Sequence, residues 1–176
     1  MGLGTMLAEQ TMGAQRRLDP EDLGDHIDRL YRAARSLTGS REEAEDLVQE
    51  TFVRVLQKPR LLRSDDDLGY LLRVLRNTFI SMRRTASRRP QTGAPPEVLE
   101  FVEDPGSVQP QDRLEVAEVY AAIAELPPDF RDAVMAIDVV GLSYREAAKA
   151  LRVREATITT RLHRGRQRIA QRLSEE

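Results

Sequence analysis

The chain has 176 residues, 40% hydrophobic and 5% aromatic, with no cysteine or tryptophan and a formal net charge of −2. Such a length allows one ordinary domain or two small ones. The absence of cysteine excludes disulfides, thiolate nucleophiles and cysteine zinc sites, and His26 and His163 lie too far apart in sequence for a metal-ligand spacing. No apolar run approaches the roughly 20 residues of a membrane span, and Met1 to Leu18 has no secretory hydrophobic core. The expectation is a cytoplasmic protein that needs no cofactor or metal.

Residues 1–18 lack periodicity and are expected to form a disordered arm. Helical periodicity starts near Pro20, with Asp19 as cap and an apolar stripe of Leu23, Ile27, Leu30, Ala34 and Leu37 that ends at Gly39. Ser40 caps a second helix with Glu43 three residues on, and Pro59 closes it. Its stripe is Ala44, Leu47, Val48, Thr51, Phe52 and Val55. A third helix follows Asp65–Asp67, acids suited to a helix N-terminus, and buries Leu68, Leu71, Leu72, Leu75, Phe79 and Met82.

Gln91 to Gln111 is acidic and proline-containing with little apolar periodicity, which reads as an extended linker. A fourth helix spans about Arg113–Glu125, and the Leu126-Pro127-Pro128 corner starts a fifth through Val140. Gly141 breaks it, Ser143 caps a short helix to Leu151, and a long helix runs from about Glu155 to Leu173. No strand is expected. The fold class is therefore all-α, with two small helical modules joined by a flexible acidic linker. The boundaries are 1–18 for the arm, 19–89 for the first module, 90–112 for the linker and 113–176 for a helix-turn-helix module.

Charge alternates along this framework. Asp19–Glu50 carries ten acids and four arginines, Tyr70–Arg89 six arginines and no acid, and Gln91–Glu118 seven acids and one arginine. Leu142–Leu173 then carries nine Lys/Arg against Glu146 and Glu155. Two separate basic blocks on helices point to nucleic acid. In the last pair of helices, Ala148, Leu151, Val153, Ile158 and Leu162 form an apolar knot. The opposite face offers Thr157, Thr159, Thr160, Arg161, His163 and Arg164 to base edges and phosphates, and Arg145 on the preceding helix joins them as a candidate contact. Arg166, Arg168 and Arg172 are expected to attract the DNA backbone. Arg152 occupies the turn, where glycine most easily adopts a left-handed conformation.

The middle block places Arg73, Arg76, Asn77, Arg83 and Arg84 on or near one exposed helix face. Asp46, Gln49 and Glu50 share a face of the second helix at i, i+3 and i+4. With no histidine, phosphate loop or nucleophile beside them, these carboxylates suit docking of a basic partner better than catalysis. No enzyme activity is expected.

The blocks "LTGSREEAEDLVQETFVRVLQ", "YLLRVLRNTFISMRR" and "LPPDFRDAVMAIDVVGLSYREAAKALRVREATITTRLHRGRQRIAQRL", in this order and around an acidic linker, resemble the extracytoplasmic-function (ECF) subfamily of bacterial sigma-70-type RNA polymerase sigma factors. The resemblance covers about Asp25 to Leu173. It implies a subunit that binds core RNA polymerase and directs it to promoters through the −10 and −35 elements. By position, Asp46, Gln49 and Glu50 dock on the clamp helices of the largest polymerase subunit. Arg73, Arg76, Asn77, Arg83 and Arg84 capture the −10 element, with the Leu61–Asp67 loop forming the pocket for a flipped base. Thr159, Thr160, His163 and Arg164 read −35, and the acidic linker threads the polymerase channel. "RNTFIS" and "LHRGRQ" resemble most the redox-stress subgroup, whose members are held by small zinc-binding anti-sigma proteins, so an anti-sigma partner is also implied.

Two other functions fit parts of this pattern. A stand-alone helix-turn-helix regulator leaves the acidic second helix and the first basic helix without a task. A polymerase-binding inhibitor explains the acidic faces but not the basic tail.

Overall fold

The structure, a computed structural model, describes residues 15–18, 23–58, 61–63, 67–87 and 110–175. The arm up to residue 14, most of the acidic linker and residues 64–66 of the proposed base pocket lie outside the described residues. Among the described residues the fold is all-α apart from a two-stranded antiparallel ribbon. Strand β1 (Gln15–Arg17) pairs with β2 (Leu61–Arg63), and Leu61 lies opposite Arg17. Two points of the sequence reading are thereby corrected: a strand pair exists, and the end of the expected arm belongs to it. Three-residue strands are too short to show a period of two, and their pairing is set by partners far away in sequence.

Helix α1 spans Ile27–Thr38, later than the expected start near Pro20. Leu23 and Gly24 are helical, but a turn at Asp25–His26 separates them from α1, and Gly24 is a poor interior helix residue at such a break. Gly39 ends α1 at φ 73° and donates its N–H to Arg35 O at 2.8 Å. A Cβ at Gly39 would sit 3.1 Å from Ala124 Cβ, so glycine here both turns the chain and admits a helix of the second module. Helix α2 (Arg41–Gln57) starts at Ser40, whose side chain accepts from Glu43 N. Helix α3 spans Asp67–Ala86.

The second module contains α4 (Pro110–Ala124), α5 (Pro128–Val134), a π-helical turn (Met135–Val139), α6 (Tyr144–Leu151) and α7 (Glu155–Ser174). The sequence reads α5 and the π turn as one α-helix through Val140. Its apolar spacing is compatible with either, and the wider turn becomes visible only in its hydrogen bonds, such as Val140 N–H to Met135 O at 3.0 Å. Ser143 and Glu146 form a reciprocal capping box at the start of α6.

In the first module α1 packs on α2 and α3, and α2 packs on α3. Leu30, Leu37, Leu47, Leu71 and Leu75 are essentially fully buried, each such side chain stabilising the fold by about 2 kcal/mol. This core does not stop at the module boundary. It continues into Met135, Ala136, Leu142, Ala147, Ala148 and Ile158, because α1 packs on α4 and the π turn while α3 packs on α6. The two modules thus share one apolar core, which a reading of two separately folded bodies on a tether does not anticipate.

Candidate nucleic-acid interface

On α2, Asp46, Gln49 and Glu50 are all partly exposed, as their spacing beside the buried stripe requires. Glu50 accepts from Arg54 Nε at 2.7 Å. Burial raises the Asp46 carboxyl above the ordinary carboxylate range, and the neighbouring Glu42 and Glu45 push it the same way. A basic partner relieves that crowding. Val53 and Leu56 continue the same helical face and are about half exposed, at 45% and 50%. Sequence reasoning passed over them, although both lie outside the buried stripe at i+3 and i+6 from Glu50 and are apolar.

On α3, Asn77, Arg83 and Arg84 are exposed, and Arg73 and Arg76 are partly buried. Asn77, Ser81 and Arg84 line a polar groove of about 480 Å³ together with Ile80 and Thr85. Arg76 points elsewhere: its Nε donates to Asp132 Oδ2 on α5 at 2.5 Å, and the Asp132 side chain is only 6% exposed. Arg131 lies 5.1 Å over the Phe79 ring and Arg83 5.8 Å from its centroid. A candidate DNA-contacting arginine is therefore held by an acid of the other module. Asp132 is the residue that sequence reasoning missed. In the chain it is one acid among many, and only the packing of α5 against α3 brings it to Arg76.

Burial drives the Asp132 carboxyl above its ordinary value, and Arg76 and Arg131 oppose that shift without cancelling it. Desolvation thus outweighs pairing, so the ion pair sets how the modules meet, while the shared apolar core supplies the attraction.

The helix-turn-helix forms as expected. Arg152 caps α6 in the left-handed region at φ 57° and ψ 44°, the only positive-φ non-glycine among the described residues. The inner side of the pair is closed by buried Ala148, Ile158 and Leu162. Gly165 lets α7 lie against α5, since a Cβ there would be 2.6 Å from Val134 Cγ2 and 3.3 Å from Phe130 O. Thr159, Thr160, His163 and Arg164 face outward, as does Arg145 on α6, and Thr157 is partly buried. Gln167 extends the outward face by one turn and was missed for want of charge.

The remaining arginines of α7 make contacts with their own module. Arg161 pairs with Asp129 at 2.8 Å, Arg166 grips Asp138 with two bonds at 2.6 and 3.0 Å, and Arg172 reaches Glu125 at 3.4 Å. Arg168 lies 5.1 Å over Phe130. Arg166, Arg168 and Arg172, expected to attract the DNA backbone, each hold such a contact while remaining exposed. Their contacts fasten the long helix to its own module, and the partners lie too far away in sequence to be read from a helical period.

Fold and faces define a two-module helical protein that carries a helix-turn-helix. Residues 23–89 match the family described as Sigma-70 region 2, and residues 117–169 match Sigma-70, region 4. The chain is 41% identical over 147 residues to the ECF RNA polymerase sigma factor SigE of Mycolicibacterium smegmatis, covering 82% of this chain and 57% of that protein. It is 30% identical over 151 residues to the ECF RNA polymerase sigma factor EcfG of Rhodopseudomonas palustris, covering 85% and 82% of the two. Among solved structures, it resembles the sigma factor RpoE of Bartonella quintana, crystallised with the anti-sigma factor NepR. That match has a TM-score of 0.65 at 25% identity and covers 89% of this chain and 98% of that one. The chain belongs to the ECF RNA polymerase sigma factors, which are not an enzyme family. No helix among the described residues is long and apolar enough to cross a membrane.

Proposed function

We propose that this chain docks on core RNA polymerase through α2 and reads a promoter through α3 and α7, acting as a cytoplasmic initiation subunit. The observation that carries this reading is the separation of its outward faces. Asp46, Gln49 and Glu50, continued by Val53 and Leu56, offer an acidic and apolar face to the basic polymerase clamp helices. Asn77, Arg83 and Arg84, with Arg73 and the Leu61–Asp67 loop, take the −10 strand. Arg145, Thr157, Thr159, Thr160, His163 and Arg164 take the −35 duplex. Arg161 orients the recognition helix through Asp129. Arg76 joins the −10 contacts only after leaving Asp132, so initiation requires the modules to part. RpoE is held by an anti-sigma factor, which supports a partner of the same kind for this chain.

Gel filtration with bacterial core polymerase tests the docking face. The chain is expected to co-elute with core, and Asp46→Ala with Glu50→Ala to weaken co-elution while duplex affinity stays unchanged. Undiminished co-elution of the double variant contradicts the face. Failure of the native chain to bind core, with specific retention of duplex DNA, points to a stand-alone regulator instead.

A further inference from the structure

Promoter reading leaves one feature of the molecule unexplained: the cleft between α3 and α5. It is an open cleft of about 500 Å³ lined by Arg76, Arg83, Arg84 and Arg131, with Asp132 the one acid among its described lining. Asp132 is already engaged by Arg76. That leaves Arg83 and Arg84 lining the cleft without an acid of their own among its described lining, while Arg131 shares Asp132 with Arg76. Arg131 is built into the wall: its Nη1 donates to Ala124 O at 3.1 Å, and its plane lies over Phe79. Its Nε, however, is buried and has no hydrogen-bond partner among the described residues. Burial lowers the basicity of Arg131, Asp132 opposes this, and Arg83 and Arg76 lower it further. Ile80 and Pro128 give the cleft an apolar border.

Several arginines lining one cleft, with a single acid between them and with Arg76 and Arg131 partly buried, favour a counter-anion. Their flat, multi-donor geometry matches phosphoryl oxygens better than a single-point anion such as chloride. The volume lies within the range of small-ligand sites. We infer that the cleft binds a phosphoryl-bearing anion, either an inorganic polyphosphate or the phosphate chain of a nucleotide, between Arg83 and Arg84 of one module and Arg131 of the other.

Such a ligand binds only when α3 and α5 face each other, so by linkage it stabilises the closed arrangement. It also occupies Arg83 and Arg84 and sits beside Arg76, so it competes with the −10 strand. This competition rests on the reading proposed above, whereas the binding site itself does not.

The test titrates the full chain calorimetrically with tripolyphosphate and, separately, with ATP, both without magnesium. Saturable binding is expected, weakened about tenfold by Arg131→Gln and by Arg84→Gln, the scale of one lost charge-assisted contact. Arg84 is exposed, so its variant keeps the answer clear if Arg131→Gln disturbs packing. Arg29→Gln, on α1 and outside the cleft lining, should bind as the native chain does. Tighter binding of ATP identifies a nucleotide site, and equal binding identifies a polyphosphate site. No saturable heat, or binding that neither cleft variant weakens, overturns the inference. Displacement of a labelled −10 single strand by tripolyphosphate tests the competition. A chain that binds core but no tripolyphosphate loses the cleft site and keeps the sigma reading. One that binds tripolyphosphate at the cleft but not core does the reverse.

Discussion

Helices α3 and α7 are both rich in arginine, yet the two sets are used differently. On α7, Arg161, Arg166 and Arg172 each find an acid within their own module, whereas Arg164 points outward with no acid beside it among the described residues. On α3, Arg76 reaches across to the other module, and Arg83 and Arg84 border the cleft between them. The first set fastens α7 to its own module, and the second couples α3 to the arrangement of the whole chain. A run of basic residues is thus not a measure of DNA contact: what matters is which carboxylates the fold places within reach.

The packing that aims α7 can be broken most severely at Gly165. Gly165→Ala puts a Cβ against Val134 and the Phe130 carbonyl, and overpacking of this kind costs about 1–3 kcal/mol. Urea unfolding should show the loss, and native stability would mean that α7 can shift without consequence. Next comes Arg164→Ala, expected to weaken −35 duplex binding by about 1–3 kcal/mol if Arg164 meets a base edge. Equal loss on a duplex without the −35 element would make it a backbone contact.

Asp132→Asn tests the coupling role of α3. Removing the carboxylate while keeping its shape releases Arg76, which is one-third exposed and can be rehydrated, so the geometric tie between the modules is lost without leaving a buried charge. Small-angle scattering should register a larger radius of gyration. The pH dependence has a definite sign. The Asp132 carboxyl titrates higher in the folded chain than its ordinary 3.8, so its contribution is complete below that value and is lost as pH rises through the folded value. The stability of the native chain relative to Asp132→Asn should therefore fall with rising pH across that window, and a rise would refute the assignment of the shift to burial. The smallest effect belongs to Arg166→Ala. Its exposed pair with Asp138 is expected to contribute less than about 1 kcal/mol, and −35 selectivity should be preserved. A large loss of selectivity would return Arg166 to the DNA surface and erase the contrast between the helices.

Much of this molecule was legible in its residues. Ser40 and Ser143 cap the helices they precede, Gly39 and Gly141 take positive φ where helices end, and the stripes on α2 and α3 are buried except for Phe52 and Met82, which are partly so. These are local signals, written within a few residues. The same holds for the outward faces at Asp46, Gln49 and Glu50 and at Thr159, Thr160, His163 and Arg164, which follow from spacing alone. What stayed hidden is non-local. Arg76 meets Asp132 across 56 residues and Arg161 meets Asp129 across 32, and no period links such pairs. Ala148 and Ile158 read as the core of a separate small module, but they join the core of the first, together with Met135 and Ala147. The π-helical turn and the three-residue ribbon are set by hydrogen-bond register rather than by composition.

On the proposed reading, α2 recruits polymerase while α3 and α7 choose the promoter. Run-off transcription on fragmented genomic DNA, with core polymerase alone and with the chain added, tests it most directly. The account predicts promoter-selective transcripts only when the chain is present, with starts that share two upstream elements and are lost in the Asp46→Ala, Glu50→Ala variant. Transcripts that are the same with and without the chain would contradict it.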